Sequence, residues 1–487
     1  MGGSEMAKPK KKRGEFRIRM YRVGFGDFFL LTVPTDDGPQ HILIDCGVTP
    51  GKTKKGDIGT IKDAVAHMAE ETGKKLALII VTHRHQDHII GFSRSAEIFQ
   101  DFKVEAVWMS IWETEYDPND TRKKTTSLAF DFQEELTSLA LGMQQHLALF
   151  GSDSPDVDEI AAMLENATGI DQADLAAAAG AGAKKTTGKG GGTNKASLAF
   201  LKSGLGIEPK YYAKGDTPTL PAALKKAGLT AKILGPPPTD EVDFLKLMDL
   251  KKNVGQFLGE ANDGSGKKFD PFDLQFRATA AAYPASAFRE WKRASQDAPA
   301  AALEATLQAA QPTLLFTAAK TLDNFLNNQS LVVLFSFNDK TLLFAGDAQG
   351  GNWEYWMYGG TPTKAPSVDQ IEKDSRELLG HLDFYKMGHH GSTNATPVSA
   401  VAAMGGDFPT MCSTQEDCFG TVGNASEVPR IPLLKALALK SQIVRSDQLQ
   451  VSMSGHRVPA TAGAPKTLPK PARGRFEAGA IYIDYFL

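Results

Sequence analysis

The stretch VTHRHQDHIIGF, residues 81–92, constrains this chain most, because it places three of the ten histidines within six positions. His83 and His85 are two residues apart, so on extended backbone their rings project from the same side and can share one metal ion. Asp87 and His88 follow directly, and a turn there aims them at a second point nearby. Neutral imidazoles and a carboxylate suit cations such as Zn²⁺ or Mn²⁺. The motif therefore predicts a two-metal layout.

The histidine motif follows an apolar run, LALIIVT, that predicts a buried strand. Upstream, FRIRMY, FFLLTV and HILIDCG predict three more strands. Between them and the motif, DIGTIKDAVAHMAEETGKK predicts a helix, with Ile61, Val65 and Met68 at helical spacing. The first ninety residues thus predict an α/β layout. In such layouts, the loop at the C-terminal end of a strand commonly carries the chemistry.

Two later stretches also place possible metal ligands directly after a predicted strand. In LLFAGDAQG an apolar strand leads to Asp347, a carboxylate suited to bridging two cations, although a turn aspartate that caps a helix is the alternative. In FYKMGHHGSTNATP a strand leads to His389 and His390, which offer one ligand and one acid or anion contact. Three strand-end clusters of the right residue types argue against coincidence. The remaining histidines are interpreted as ordinary core or surface residues: His41, His67, His146, His381 and His456.

The middle of the chain differs in composition, and we predict a large, partly helical central insertion within residues 110–320. Helix-like patches alternate there with an Ala/Gly/Lys stretch, residues 176–195, which predicts a flexible linker. Single strands are predicted at VEAVWMS and AKILGPPP. After residue 327 strands return in SLVVLFSF, KTLLFAGD, LDFYKMG and AIYIDYFL. We expect a disordered basic tail over residues 1–15 and one domain over 16–487, interrupted by the insertion.

Composition limits the class of protein. With 487 residues, 42% of them hydrophobic, the chain can bury a sizeable core. Its net charge of −3 provides no global positive field for nucleic acid or a membrane, so an anionic substrate must be held locally. Three scattered cysteines fit a reducing compartment, and no window approaches the ~20 apolar residues of a membrane span. We expect a cytoplasmic protein without a membrane partner.

Several of these motifs resemble those of a known family. THRHQDH resembles the H-x-H-x-D-H signature of the metallo-β-lactamase fold, LIDCG its early aspartate-containing strand, and FAGD its bridging aspartate. More narrowly, VGFGDFFLL, NNQSLVVLF, LLFAGD and KMGHHGS resemble the competence-type branch, which includes the hydrolase domain of bacterial DNA-uptake channels and phosphorylcholine esterases. The resemblance covers residues 17–91 and 327–447. It implies a four-layer αββα sandwich within the α/β class.

The resemblance also implies two divalent metal ions, Zn²⁺ before Mn²⁺, and their ligands. The first ion would be held by His83 and His85, the second by Asp87, His88 and His390, and Asp347 would bridge them. Many family members supply a further histidine to the first ion from the middle of the chain, where this sequence has only His146. The competence branch has an NN-S segment instead, as this chain has at Asn327, Asn328 and Ser330. Occupancy by a single ion therefore stays open.

These ligands favour hydrolysis, because two bridged cations lower the pKa of a bound water from about 15.7 toward ~7. A phosphodiester suits the site, since donors such as His389, Lys386 or Ser392 can neutralise charge on its oxygens. Asn328 is a further candidate substrate contact, and Asp87 and His389 are the candidate catalytic residues. The prediction is a phosphodiesterase or nuclease acting on nucleic acid or a nucleotide, with the insertion as a lid.

Two alternatives stay open. One is hydrolysis of a small ester, a lactone or a phosphorylated metabolite, which a tightly covered pocket would favour. The other is a metal-stabilised binding or assembly protein with weak or no catalysis, in which the insertion binds a protein partner. The missing ligand of the first ion favours this second alternative.

Overall fold

The computed structural model describes residues 14–49, 59–114, 163–169, 194–241, 244–245, 323–360, 367–415, 418–419, 427–447, 452–453, 456–457 and 468–487. These residues form a mixed α/β protein with two large sheets, which confirms the predicted α/β class. Residues 1–13 of the predicted tail, residues 176–193 of the predicted linker and His146 lie outside the described residues.

The first sheet has eight strands. In spatial order they are Arg475–Ala478, Tyr482–Phe486, Arg17–Tyr21, Phe29–Val33, Gln40–Ile44, Leu78–Val81, Val107–Ser110 and Lys210–Tyr212. The first five pair antiparallel, and pairing is parallel from Gln40–Ile44 onward. The strand that precedes the histidine motif, Leu78–Val81, therefore lies in the parallel half of the sheet. Its uniformly apolar sequence is typical of parallel strands that are buried on both faces.

The second sheet has six strands. In spatial order they are Ser441–Arg445, Phe408–Cys412, Phe384–Lys386, Lys340–Phe344, Val332–Phe337 and Thr230–Gly235. The first four are parallel and the last two pairs are antiparallel. Lys210–Tyr212 and Thr230–Gly235 fall within the predicted insertion, yet each forms an edge strand of a sheet. Residues 194–241 thus contribute one strand to each of the two sheets.

Apolar side chains form three clusters that follow the two-residue period of the strands. One cluster joins the sheets, with Ile80 from the first and Val333 from the second. Alternate residues of the first sheet, such as Ile79, pack instead with the helices Ile61–Thr72 and Gln86–Arg94. Alternate residues of the second sheet pack with the helices Gly350–Met357, Lys373–Gly380, Val398–Ala403 and Ile431–Ala438. Each sheet therefore has buried apolar residues on both faces.

The predicted early helix is confirmed as Ile61–Thr72. A capping box begins it, since the Thr60 hydroxyl accepts from the Asp63 backbone N–H and the Asp63 carboxylate accepts from the Thr60 N–H. Gly73 ends it with a φ of 57°, in the left-handed region. The residues at helical spacing are buried, so this helix covers the first sheet beside the histidine motif.

The other described elements are short. They include the α-helices Ala96–Phe99, Asn194–Ala199 and Ala222–Lys226, the π-helix Phe200–Gly204, and the 3₁₀ turns Ile111–Glu113, Val368–Gln370 and Gly388–Gly391. Two short strand pairs complete them, Lys75–Leu76 with Lys103–Val104 and Ser452–Met453 with His456–Arg457. The longest helix among the described residues has 12 residues and spans about 18 Å, against ~30 Å of membrane hydrocarbon. No described helix is long and apolar enough to cross a membrane.

Candidate metal centre

The candidate ligands converge because they follow the ends of neighbouring parallel strands. In the first sheet, Asp45 follows Gln40–Ile44 and the histidine motif follows Leu78–Val81, which pairs with it in parallel. In the second sheet, Asp347 comes soon after Lys340–Phe344, and the two adjacent histidines come soon after its parallel partner Phe384–Lys386. Parallel strands end at one edge, so each sheet presents its polar residues together.

Four buried side chains form a compact group of possible metal ligands: Asp87, His88, Asp347 and His390. One ligand atom from each lies within 4.8 Å of all the others. His390 Nε2 is 3.0 Å from Asp87 Oδ2 and 3.3 Å from Asp347 Oδ2. His88 Nε2 is 3.0 Å from the same Asp347 oxygen. This group, the quartet below, combines the residues predicted for the second ion with the predicted bridge.

Several buried polar atoms of this centre have no hydrogen-bond partner among the described residues. They are His85 Nε2, Asp87 Oδ1, His88 Nε2 and Asp347 Oδ1. Charged atoms lie near some of them without hydrogen-bond geometry, as Asp347 Oδ2 lies 3.0 Å from His88 Nε2, and a buried polar atom that makes no hydrogen bond costs about 1–3 kcal/mol. A divalent cation accepts electron pairs from imidazole nitrogens and carboxylate oxygens at once. These buried histidines and aspartates could therefore hold a metal ion.

Carboxylates dominate the electrostatics of the centre. Burial alone lowers the pKa of His88, but the surrounding aspartates, Asp347 first, raise it well above its usual range. Burial likewise lowers the pKa of His390, and Asp347 is the main group that brings it instead to about 10. For Asp87 burial raises the pKa, and the two imidazoles lower it to about 2. The centre thus favours added positive charge, whether protons or a metal ion.

The outer ring nitrogens of three histidines lie at hydrogen-bond distance from fixed oxygens. The pairs are His83 Nδ1 with Thr82 Oγ1 at 3.2 Å, His88 Nδ1 with Asp45 Oδ2 at 2.8 Å, and His390 Nδ1 with the Ser413 carbonyl oxygen at 2.7 Å. A ring nitrogen that donates to such an oxygen leaves the opposite nitrogen with a lone pair for a cation. Asp45 was not among the predicted site residues, although it stands in the LIDCG segment.

His83 and His85, the predicted ligands of the first ion, face each other. His83 Nε2 is 3.0 Å from His85 Nδ1, and both rings are fully buried. This separation fits either an N–H···N hydrogen bond or two nitrogens that share one ion. Among the described residues, neither belongs to a group of three clustered ligands. The structure therefore assembles the predicted second-ion set more completely than the first.

The two adjacent histidines diverge. Both have a positive φ, 39° at His389 and 51° at His390, which turns the chain sharply. The side chain of His390 is fully buried within the quartet, whereas that of His389 is 19% exposed, with Nε2 3.9 Å from Asp347 Oδ2. Ser392 Oγ lies 2.6 Å from His389 Nδ1, and Asn327 Nδ2 lies 3.3 Å from its Nε2. Burial lowers the pKa of His389, which favours a neutral ring.

Lys386, a predicted substrate contact, is instead part of the buried interior of the centre. Its ammonium forms an ion pair with Asp27, donates to the Gly346 carbonyl oxygen at 3.0 Å and lies 3.5 Å from Asp347 Oδ1. Only 1% of Lys386 is exposed. The structure thus places it as a buried counter-charge, and its predicted contact with substrate stays a prediction. Sequence reasoning missed Asp27, its partner, although VGFGD contains it.

Asn328, another predicted substrate contact, is also turned away from the centre. Its side chain is fully buried, donates to the Leu245 carbonyl oxygen at 3.2 Å and accepts from the Asn352 backbone N–H at 3.0 Å. These bonds secure the start of the helix Gly350–Met357. The neighbouring Asn327 is the residue that contacts His389. Of the three predicted substrate contacts, only Ser392 lies beside an exposed ring.

Close backbone packing supports the quartet from behind. The Asp27 N–H donates to the Asp87 carbonyl oxygen, and the Gly47 N–H donates to the Asp27 carbonyl oxygen, both at 2.9 Å. A Cβ built on Gly47 would lie 2.1 Å from the Asp87 carbonyl carbon and 2.2 Å from the His88 nitrogen. Backbone atoms cannot yield as a flexible side chain can. A glycine is therefore required where the LIDCG and HRHQDH segments meet.

Replacing Gly47 with alanine should displace Asp87 and His88 and weaken the metal centre. We expect a loss of about 1–3 kcal/mol in the free energy of unfolding, as in other overpacked interiors, together with reduced metal content. Thermal unfolding and metal analysis of purified protein measure both. Gly406→Ala is the matched control, because a Cβ there meets nothing within 4 Å. Normal metal content and stability in Gly47→Ala would contradict this packing argument.

Comparison with known proteins assigns no family to this chain. No protein-family profile and no curated protein matches it. Its function therefore has to be inferred from the chemistry of the site.

Proposed function

We propose that this chain is a metal-dependent phosphodiester hydrolase, a phosphodiesterase or nuclease, built on the four-layer αββα metallo-β-lactamase sandwich. The observation that carries the proposal is the convergence of the quartet from three strand ends, with buried ligand atoms that lack partners. The fold is supported by two sheets that share one apolar cluster and pack helices with their other faces. The order of motifs along the chain supports the competence-type branch.

The proposed centre takes two divalent ions, Zn²⁺ in first place and Mn²⁺ as the alternative. His83 and His85 would hold one ion, the quartet the other, with Asp347 shared between them. Bound ions of this kind lower the pKa of a coordinated water toward about 7 and polarise phosphoryl oxygens. Mixed imidazole and carboxylate ligands favour these cations over Ca²⁺, which prefers oxygen alone.

The residues of the chain itself would orient the substrate. His389 borders the quartet on its exposed side, so its Nε2 can contact a phosphoryl or leaving-group oxygen. Ser392 and Asn394, at 2.6 and 3.1 Å from Nδ1, hold the ring and determine which nitrogen carries the proton. Lys386 and Asp27 would keep Asp347 in place from the buried side. Polar donors beside a partly exposed ring suit a substrate that develops negative charge, as a phosphodiester does.

The net charge of −3 favours a nucleotide or a nucleic-acid end over long duplex DNA, which binds through many basic contacts. A protein partner on the central insertion remains part of the proposal. Its residues fall largely outside the described part of the chain.

Metal removal tests the proposed function. The purified chain should contain one or two Zn²⁺ or Mn²⁺ ions by mass spectrometry and should hydrolyse bis-p-nitrophenyl phosphate. Chelation should abolish turnover, and adding either ion back should restore it, because the buried ligands alone supply no nucleophile.

A carboxyl ester and a lactone serve as comparison substrates. Turnover of these but not of the phosphodiester would favour the small-ester alternative. Bound metal without any turnover would favour the binding protein. A chain that takes up no metal after reconstitution would contradict the proposal altogether.

A further inference from the structure

His85 differs from the other histidines of the centre at its outer nitrogen. The outer nitrogens of His83, His88 and His390 each lie 2.7–3.2 Å from a fixed oxygen. In His85, Nδ1 faces His83, and Nε2 is buried and has no hydrogen-bond partner in the described part of the chain. A carboxylate does lie beside it, because Asp323 Oδ1 is 3.8 Å from His85 Nε2. Neither the motifs nor the resemblance singled out Asp323.

Asp323 is held in a defined position. It lies in a helical turn that includes residues 323–327, so Asn327 lies four residues later on the same face. Asn327 Nδ2 donates to Asp323 Oδ2 at 3.1 Å and lies 3.3 Å from His389 Nε2. The Asp323 side chain is 17% exposed, so it reaches His85 from the rim of the centre. One carboxylate oxygen is thus held by Asn327, while the other points toward His85.

We propose that Asp323 is a positioning residue for the first metal ion. Its carboxylate would accept a hydrogen bond from the Nε2–H of His85. The lone pair of His85 Nδ1 would then face the ion, beside His83 Nε2. A movement of about 1 Å brings Asp323 Oδ1 and His85 Nε2 to hydrogen-bond distance. Metal-ligating histidines almost always donate their other N–H to a carboxylate, a carbonyl or water. The inference rests on the proposed function, because it concerns the same centre.

This role would compensate for the small number of ligands around the first ion. Among the described residues, His83 and His85 belong to no group of three clustered ligands. A carboxylate behind His85 makes the imidazole a stronger ligand and fixes its orientation. Through Asn327, the same carboxylate is connected to His389, so the first ion and the proposed substrate contact share one support.

Titration of metal-free protein with Zn²⁺ tests the proposal in Asp323→Ala and Asp323→Asn. In Asp323→Ala the affinity for one ion should fall about 10–100-fold while the ion held by the quartet binds as before. Asp323→Asn keeps a hydrogen-bond acceptor of the same size, so its affinity for that ion should fall less than in Asp323→Ala. Asp374→Ala is the matched control, an exposed aspartate in the first turn of the helix Lys373–Gly380, and should bind as wild type.

The tautomer of His85 gives a second measurement that a merely structural role would not change. Long-range proton–nitrogen spectra of Zn²⁺-loaded protein with labelled histidines should show the His85 proton on Nε2. Its signal should change in Asp323→Ala and not in Asp374→Ala.

Three results would overturn the proposal. One is an unchanged Zn²⁺ affinity in Asp323→Ala. Another is a His85 proton on Nδ1. The third is complete loss of one ion in both variants, which would make Asp323 a direct ligand. If the wild-type chain binds no Zn²⁺, the proposed function fails as well, whereas the other results leave it standing.

Discussion

Replacing Asp347 with alanine should abolish metal-dependent hydrolysis and leave the fold intact. Its Oδ2 lies 3.0 Å from His88 Nε2 and 3.3 Å from His390 Nε2, and its Oδ1 makes no hydrogen bond to a described residue, with Lys386 Nζ 3.5 Å away. A carboxylate shared by two ions contributes several kcal/mol to the transition state, so turnover should fall by at least about 10³-fold. The side chain contacts polar groups of the centre, His88, His390 and Lys386, and belongs to none of the three apolar clusters, so the packing of the sheets should remain.

The measurement is bis-p-nitrophenyl phosphate turnover with bound metal determined on the same sample, and circular dichroism to show that the fold remains. Asp369→Ala serves as the control, because that aspartate is exposed on the turn Val368–Gln370. Unchanged turnover in metal-loaded Asp347→Ala would remove the basis for a bridged centre.

The adjacent histidines should separate into a metal ligand and a substrate contact. His390→Ala should lose the second ion together with activity, because its Nε2 lies within the quartet. His389→Ala should keep near-normal metal content and lose about 10²- to 10⁴-fold in rate, the usual range for a positioned acid or donor. The 19% exposure of His389 and its bonds to Ser392 and Asn327 are the structural reasons for the difference.

Bound metal by mass spectrometry and phosphodiester turnover, measured for both variants, distinguish the two roles. His381→Ala provides a histidine control, since that ring contacts the Glu377 carbonyl oxygen on the surface. Loss of metal in His389→Ala and retention in His390→Ala would reverse the assignment. If neither variant changed either quantity, the hydrolase proposal would fail.

Local patterns predicted much of the framework. The apolar run before the histidine motif contains the strand Leu78–Val81, and VEAVWMS contains Val107–Ser110. AKILGPPP covers all but the first residue of the strand Thr230–Gly235. Helical spacing identified Ile61–Thr72, and its capping box is readable in the sequence as Thr60 and Asp63. These elements are predictable because their period and their end signals lie within a few residues of each other.

The candidate ligands were predictable for a related reason. Metal chemistry demands particular residue types, and a strand end places them at an edge, so three short segments supplied the candidate ligands. The resemblance then implied His390, not His389, as the ligand in the quartet. The sequence analysis did not identify Asp27 and Asp45 as residues of the centre, because it treated them only as parts of strands and loops. Their role depends on which side chains face them across the centre, His88 and Lys386 in particular.

By itself, then, the sequence determined the α/β class, the order of the main strands and the residue types available at the centre, because hydrophobic period and ligand chemistry are local properties. Only the tertiary structure decided which residues the polar side chains contact. Lys386 turns inward to Asp27, Asn328 turns to Asn352, and Asp323 lies beside His85 although 238 positions separate them in the chain. Contacts between segments so far apart depend on how two sheets meet, which no local pattern encodes.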